Sequence, residues 1–208
     1  MACDYRLYLV TDREVLKGRD LLQAVEEALA GGVTLVQLRE KDASGREFYQ
    51  LAVSMKNLAA RFGVPLLIND RLDIALAVQA DGIHIGQGDL PLPVARKLLG
   101  PGKIIGYSVS NTEEARYGEK HGADYLGAGP VFTTATKKVS TPTLGPAGLK
   151  RIKEMVSIPV VGIGGINLGN VKEVRNSGID GVSIVSGILG SDQPGHTASL
   201  IRRAWDNG

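Results

Sequence analysis

Short apolar runs rich in β-branched residues alternate with longer amphipathic stretches along the whole chain. Eight runs have the length and composition of β-strands: 6–10, 35–39, 65–69, 82–85, 104–108, 125–128, 160–163 and 182–185. Between them, apolar residues recurring three and four positions apart predict helices over 21–30, 47–62, 91–99, 112–121, 170–176 and 198–205. This strict alternation predicts a parallel sheet, because each return to the sheet needs a crossover helix.

Similar short segments stand before each even-numbered strand. Three of the four carry a glycine where the preceding helix ends, and all four place a short polar residue before the strand: Gly32-Val33-Thr34, Gln79-Ala80-Asp81, Gly122-Ala123-Asp124 and Gly178-Ile179-Asp180. Four such junctions divide the chain into quarters, which favours a closed barrel over an open doubly wound sheet. We therefore predict an α/β protein, a single (β/α)8 TIM barrel domain over residues 1–208.

Composition excludes several classes of partner. The formal net charge of +2 is too small for a nucleic-acid-binding surface, and no stretch is apolar enough to span a bilayer. Charged residues among the first six argue against a signal peptide, so we expect a cytoplasmic protein with small-molecule partners. Cys3 is the one cysteine, which excludes an intrachain disulfide. The oligomeric state stays open, a homo-oligomer included.

Two carboxylates, Asp70 and Asp89, follow neighbouring strands near the cations Arg39 and Lys41. In a barrel of this kind the active site forms at the C-terminal ends of the strands. Carboxylates alone would repel a phosphate, but Mg²⁺ bound between them would attract one, and the cations would neutralise the remaining charge. We therefore predict a Mg²⁺-diphosphate site. The alternative is that the two aspartates cap helices beginning at Arg71 and Pro91; the two roles are compatible.

Small residues follow strands seven and eight instead. Gly164-Gly165 and Val185-Ser186-Gly187 can expose backbone N–H groups, and loops at these positions form the usual phosphate site of this fold. The alternative is that the glycines only turn the chain. The neighbouring small residues at the two strand ends favour a monophosphate site.

The run from Thr133 to Lys138 follows strand six and carries hydroxyls and two ammonium groups. The connection up to Gly145 is long, and Pro142 and Pro146 argue against a helix there. We interpret the segment as a lid that faces both anion sites. A solvated charged loop is the alternative.

Six motifs, in order and at barrel-loop spacing, resemble the motif set of the thiamine phosphate synthase family. They are Gln37-Leu38-Arg39-Glu40-Lys41, Ile68-Asn69-Asp70, the segment from His84 to Leu90, Gly106-Tyr107-Ser108, Gly129-Pro130 with Thr134 to Lys138, and Gly162-Ile163-Gly164-Gly165-Ile166. The resemblance extends from the first predicted strand to the last. Each motif alone is weak, whereas six together are specific.

The resemblance implies that a hydroxymethylpyrimidine diphosphate is joined to a thiazole monophosphate, or its carboxylated form, giving thiamine phosphate and diphosphate. It implies dissociative chemistry without a covalent enzyme nucleophile, with Mg²⁺ as cofactor. Arg39, Lys41, Ser108 and Lys137 would be the catalytic residues, and Asp70 and Asp89 the metal ligands. The same resemblance assigns the pyrimidine diphosphate to Gln37, Leu38, Arg39, Glu40, Lys41, Asn69, Ser108 and Lys137, and the thiazole phosphate to Thr134, Ala135, Thr136, Gly165, Val185 and Ser186.

Two other functions remain open at this stage. A related thiazole tautomerase shares the barrel but needs a histidine near the place that Pro130 occupies here, and a non-catalytic sensor of thiamine phosphate or its thiazole half would lack the pair Asp70 and Asp89. The histidines themselves suggest little chemistry. We expect His84 to be packed and hydrogen-bonded within strand four, His121 to end a helix, and His196 to lie in a loop.

Overall fold

The computed structural model describes residues 3–134 and 142–207. Eight parallel strands close into a barrel in chain order, and β1 completes the ring by pairing with β8, where Leu7 lies opposite Val182. All eight predicted strands are confirmed, each end to within one residue. Their bounds are β1 Leu7–Val10, β2 Leu35–Leu38, β3 Leu66–Asn69, β4 Gly82–Ile85, β5 Ile104–Val109, β6 Tyr125–Ala128, β7 Val160–Ile163 and β8 Gly181–Ile184.

Helices follow the strands on the outside of the barrel. Their bounds are α1 Leu21–Ala30, α2 Gly45–Arg61, α3 Leu72–Ala77, α4 Leu92–Leu99, α5 Thr112–Lys120, α6 Gly145–Met155, α7 Val171–Arg175, α8 Ser186–Leu189 and α9 Pro194–Asp206, and a short 3-10 turn covers Glu14–Leu16. The six predicted helices are confirmed, and a capping box between Ser44 and Glu47 starts α2. The prediction that His196 lies in a loop is wrong, because α9 begins at Pro194.

Helix α6 was not predicted. It begins at Gly145 with Pro146 in its first turn, where a backbone N–H has no helical acceptor and a proline therefore costs little. The interpretation of Pro146 as an obstacle to a helix was wrong for this reason. No helix in residues 3–134 and 142–207 combines the length and apolar character that crossing a membrane requires.

The four junctions predicted before the even-numbered strands are confirmed as a repeated structural device. The backbone is left-handed at Gly32, Gly122 and Gly178, and at the fourth junction Gln79 adopts the same conformation with φ of 54°. The polar residue that follows accepts a hydrogen bond from a backbone N–H of the preceding strand: Thr34 from Leu7 at 3.1 Å, Asp81 from Leu66 at 2.8 Å, Asp124 from Ile105 at 2.7 Å and Asp180 from Val160 at 2.7 Å. Each junction thus joins an odd-numbered strand to the next.

Side chains alternate along each strand between the barrel interior and the layer of helices. The larger apolar core lies between strands and helices. The interior contains a smaller cluster of Tyr5, Tyr8, Val10, Leu35, Leu67, Tyr125 and Val161. Because Tyr5, Leu35 and Tyr125 lie at or before the first residue of their strands, this cluster closes the N-terminal end of the barrel and leaves the polar interior positions near the C-terminal ends.

Candidate active site

A cavity of about 550 Å³ opens at the C-terminal ends of the strands, and residues from all eight strand ends or the loops that follow them line it. This is the position that the fold predicts for an active site. Most of the residues proposed from the sequence meet there: Gln37, Arg39, Lys41, Asn69, Asp70, Asp89, Ser108, Thr134, Gly165, Val185 and Ser186. Segments far apart in the chain therefore contribute to one site.

Other proposed residues do not line this cavity with their side chains. Leu38 points outward into the core between strands and helices, as the alternation along β2 requires when Gln37 points inward. Glu40 is ion-paired with Arg13, whose Nε lies 2.8 Å from Oε1 of the glutamate. Ala135, Thr136 and Lys137 lie outside the described residues, as does the middle of the proposed lid, residues 135–141.

Arg39 is held in place by a carboxylate that the sequence analysis did not assign to the site. Its Nη1 donates to Oδ2 of Asp12 at 2.9 Å, and its backbone N–H donates to the hydroxyl of Thr11 at 2.9 Å. The side chains of Arg39 and Asp12 are only 16% and 8% exposed. A detectable signal existed, because Thr11 and Asp12 directly follow the first strand. The pair presents a guanidinium of fixed orientation to the cavity.

Asp70 lies directly after β3 in a left-handed backbone conformation, with φ of 61°. Its backbone N–H donates to the carbonyl of His84 at 2.9 Å, so the pairing of β3 with β4 continues past the strand. Helix α3 begins at Leu72 with Arg71 as its N-cap residue, one position later than the capping interpretation requires. Unfavourable backbone conformations concentrate at functional sites, where the surrounding structure holds them.

Asp89 closes its own loop. Its Oδ2 accepts from the backbone N–H of Gly86 at 2.7 Å, while helix α4 begins at Leu92 with Pro91 as N-cap and no side-chain cap. The interpretation of Asp89 as a helix cap is therefore wrong. Since β3 and β4 are paired neighbours, Asp70 and Asp89 both lie on the same side of the cavity mouth.

The loops after β6 and β7 pack closely on one another. Val131 and Phe132 donate backbone hydrogen bonds to the carbonyls of Ile163 and Gly164, at 2.9 and 3.0 Å. The backbone φ of Gly164 is +100°, and a Cβ there would lie 2.9 Å from the Cα of Pro130. Glycine is therefore required both for the turn and for this close approach. The contact brings the start of the Thr133 segment beside the glycine loop.

A chain of buried hydrogen bonds runs beneath the cavity. The Tyr8 and Tyr125 hydroxyls are 2.8 Å apart, and the Tyr125 hydroxyl lies 2.7 Å from Nδ1 of His84, whose Nε2 lies 2.8 Å from the Ser108 hydroxyl. At the other end Gln37 donates from its amide nitrogen to the Tyr8 hydroxyl. His84 is thus packed and hydrogen-bonded, as predicted. Burial raises the pKa of Tyr8 and of Tyr125 above the ordinary tyrosine value.

Ser183 is a cavity residue that the sequence analysis missed. It lies on β8, two positions before Val185, and is 3% exposed. Its hydroxyl oxygen is buried and has no hydrogen-bond partner, and it is the one such side-chain oxygen or nitrogen in the described part of the chain. The period-two alternation of β8 could have identified it, because Val185 was already assigned to the site.

The fold and the cavity together define an enzyme of the (β/α)8-barrel class that acts on small anionic molecules, since cations and carboxylates face a glycine loop across one cavity. A model of the thiamine monophosphate synthase family matches residues 7–188. The chain belongs to the thiamine monophosphate synthase family, and it is a transferase.

Individual relatives agree with the family model. The chain is 56% identical over 207 residues to the thiamine-phosphate synthase of Desulfitobacterium hafniense strain Y51, covering 100% of both chains. It is 54% identical to that of Syntrophomonas wolfei, covering 98% of this chain and 97% of the relative. The solved thiamine phosphate pyrophosphorylase of Pyrococcus furiosus is 40% identical, with a TM-score of 0.90 and coverage of 99% and 97%. These similarities favour the synthase over the tautomerase and the sensor.

Proposed function

We propose that this enzyme condenses 4-amino-2-methyl-5-hydroxymethylpyrimidine diphosphate with 4-methyl-5-(2-phosphooxyethyl)thiazole to give thiamine phosphate and diphosphate. The carboxylated form of the thiazole would give the same products with release of CO2. The observation that supports the proposal is that one cavity has two chemically different sides. Asp70, Asp89, Arg39 and Lys41 lie on one side, and the glycine loop after β7 and the end of β8 lie on the other. A reaction between a diphosphate and a monophosphate needs two such regions.

The diphosphate region would take the pyrimidine substrate. Gln37, Asn69 and Ser108 offer polar groups for the ring, while Arg39, Lys41 and Lys137 offer positive charge to the diphosphate. Leu38 and Glu40 would contribute through the backbone, since their side chains are directed elsewhere. Asp12 restricts the guanidinium of Arg39, which lowers the entropy lost when a phosphate binds.

Asp70 and Asp89 would hold Mg²⁺. Among the described residues, no three or more His, Cys, Asp and Glu side chains are grouped so that they could hold a metal ion. The candidate ligands are therefore these two carboxylates. Two carboxylates at one rim fit Mg²⁺, which takes one or two protein carboxylates and completes its octahedron with water and substrate phosphate oxygens. When bound, the ion supplies charge neutralisation for the diphosphate.

The thiazole phosphate would bind across the cavity. Gly165, Val185 and Ser186 line this side, and helix α8 begins at Ser186 directly after β8. Thr134, Ala135 and Thr136 would approach from the loop after β6, whose start is bonded to the glycine loop. The same loop would carry Lys137 toward the diphosphate, so that one segment contacts both substrates.

The residues act by binding and alignment. The bond between the methylene carbon and the diphosphate oxygen breaks, and its electron pair leaves with the diphosphate. The thiazole nitrogen then donates its lone pair to that carbon, and the positive charge passes to the thiazolium ring. Arg39, Lys41 and Lys137 stabilise the leaving diphosphate, Ser108 orients the pyrimidine ring, and the glycine loop holds the acceptor in line.

The direct test mixes the protein with both substrates and follows diphosphate release with and without Mg²⁺. We expect release that requires both substrates and the metal; metal-independent release, or none, would contradict the proposal. Asp89→Asn keeps an acceptor for the Gly86 N–H but removes the charge, so we expect about a 100-fold loss of rate. The matched control is Asp81→Asn, whose carboxylate also accepts one backbone N–H, at the opposite end of the barrel.

The proposed substrates also suggest where the enzyme works. Both are phosphate esters, whose charges oppose free passage through a bilayer. The activity therefore favours a cytoplasmic location, which fractionation of cells with an antibody against the chain would test.

A further inference from the structure

The buried hydrogen-bond chain beneath the cavity connects two walls of the site. Gln37 on β2 and Ser108 on β5, the end members, line the cavity together with His84, whereas Tyr8 and Tyr125 do not. The two tyrosines are buried to 1% and 0% exposure. Tyr8 and Tyr125 therefore have no surface for a substrate, and any effect they have on the reaction passes through Gln37, His84 or Ser108.

Glycines on two strands leave the space that this chain occupies. A Cβ at Gly106 would collide with the ring of Tyr125 and with Nδ1 of His84, and a Cβ at Gly127 would lie 2.9 Å from Cε1 of His84. Both glycines face inward, and Gly106 on β5 is paired in register with His84 on β4 and with Tyr125 on β6. The link between Tyr125 and His84 thus depends on two strand positions without side chains.

With the Gln37 nitrogen facing Tyr8 and a neutral His84 ring, the donors and acceptors along the chain have one consistent order. The amide nitrogen of Gln37 can only donate, so the Tyr8 oxygen accepts and its proton goes to the Tyr125 oxygen. The Tyr125 proton then goes to Nδ1 of His84, which leaves the neutral ring with its proton on Nε2, donating to Ser108. Ser108 accepts there, and its own proton is available to the cavity. Burial raises the pKa of both tyrosines, which keeps their protons in place.

For a neutral His84 ring, the opposite order is the one other arrangement that satisfies every link. If the Gln37 amide turned over, its oxygen would accept from Tyr8, each hydroxyl would reverse, and Ser108 would donate to Nε2 of His84. Any mixed arrangement would set two donors or two acceptors against each other in the buried interior, which is costly. The amide of Gln37 and the hydroxyl of Ser108 therefore change direction together.

We propose that Tyr8 and Tyr125 are positioning residues that lock the amide oxygen of Gln37 and the hydroxyl proton of Ser108 toward the cavity, and thereby select an aminopyrimidine over an oxopyrimidine. The inference rests on the proposed binding of the pyrimidine at Gln37 and Ser108. An amino group offers an N–H to the locked amide oxygen. A 4-oxo group presents an acceptor to that oxygen, so accommodating it would require all links to reverse.

The binding test compares the 4-amino and 4-oxo pyrimidine monophosphates, which lack the diphosphate leaving group. Dissociation constants are measured by calorimetry for the wild type, Tyr8→Phe and Tyr125→Phe, with Tyr5→Phe as control. The Tyr5 ring packs 4.8 Å from that of Tyr125 but is not a link of the hydrogen-bond chain. We expect both link variants to lose about tenfold in the preference for the amino compound, with unchanged affinity for thiazole phosphate, and Tyr5→Phe to keep the wild-type preference.

A second measurement tests the order of the hydrogen bonds directly, in the absence of substrate. After His121→Gln and His196→Gln, the remaining imidazole is that of His84, and its ¹⁵N shifts report which nitrogen carries the proton. We expect the proton on Nε2 in the parent and a mixture of both tautomers after Tyr125→Phe. A parent with the proton on Nδ1 would overturn the proposal.

The outcomes separate the lock from the substrate assignment. If neither pyrimidine binds the wild type, the substrate assignment is wrong, and the proposed selection with it. If the wild type prefers the amino compound and both link variants retain that preference, the lock alone is wrong. Thermal melts of the four proteins identify a variant that fails to fold, and the two independent tyrosine variants keep the test decisive in that case.

Discussion

The guanidinium of Arg39 donates from Nη1 to Oδ2 of Asp12 across 2.9 Å, and both side chains are largely buried. The pair joins the loop after β1 to the loop after β2 at the edge of the cavity. Its arginine is the cation that we assign to the diphosphate. Asp12 therefore orients a substrate-binding group, although Asp12 itself does not line the cavity.

Replacement of Asp12 by alanine should weaken binding of the pyrimidine diphosphate. Loss of a charge-assisted hydrogen bond leaves Arg39 free to adopt several rotamers, and we expect the KM for that substrate to rise about tenfold. Steady-state kinetics with each substrate varied in turn measures the effect. Asp73→Ala removes a carboxylate from the exposed pair with Arg71 and should leave both KM values unchanged. An equal rise in the two variants would contradict the assigned role.

Gly164→Ala should destabilise the fold more than Gly178→Ala. Both glycines have positive φ, +100° and +80°, but a Cβ at Gly178 meets nothing within 4 Å, whereas one at Gly164 would meet Pro130 at 2.9 Å. We expect the free energy of unfolding to fall by about 1 kcal/mol at Gly178 and by about 1–3 kcal/mol more at Gly164. Urea denaturation measures both. Similar losses of unfolding free energy in the two variants would mean that the loop after β6 can shift away from the added methyl group at no energetic cost.

Ser183→Ala should separate activity from stability. The Ser183 hydroxyl is buried without a partner among the described residues, so its removal should leave the free energy of unfolding unchanged or raise it by about 1 kcal/mol. Ser177→Ala is the matched control, because that buried hydroxyl donates to the Val174 carbonyl at 2.6 Å and its loss should cost about 1 kcal/mol. If substrates use the Ser183 hydroxyl, its loss lowers kcat/KM about tenfold. Destabilisation by Ser183→Ala would show that the hydroxyl has a structural partner.

The free energy of unfolding should decrease at alkaline pH. Burial raises the pKa of Tyr8 and Tyr125 in the folded protein above the ordinary value of about 10, so the unfolded chain loses these protons first. Their stabilising contribution is complete below about pH 10 and declines as the pH rises further, by up to about 1.4 kcal/mol per pH unit for each group. Tyr125→Phe should make the decline shallower in denaturation experiments between pH 9 and about 11. Identical slopes would contradict the assignment.

Much of the fold could be predicted because its signals are local. A parallel strand covered on both faces is a continuous apolar run, and each of the eight runs occurs as a strand. Helix α6 was not predicted, because Pro146 was interpreted as a helix breaker. A proline in the first turn of a helix breaks no helical hydrogen bond. Many cavity residues, such as Asp70 and Asp89, follow directly from the polar residues after each strand, whereas Gln37, within β2, was assigned from the family resemblance. Neither signal identified Ser183, which lies within β8.

The order of residues alone established the eight repeats, the direction of the sheet and the polar residues at its C-terminal edge, because these depend on period and on nearest neighbours. Only closure of the barrel decided which polar groups meet. Asp12 and Arg39 are 27 positions apart and Tyr8 and Tyr125 are 117 apart. Such contacts depend on the stagger of the strands and on the space left by glycines on neighbouring strands, and neither appears in the period of any single segment.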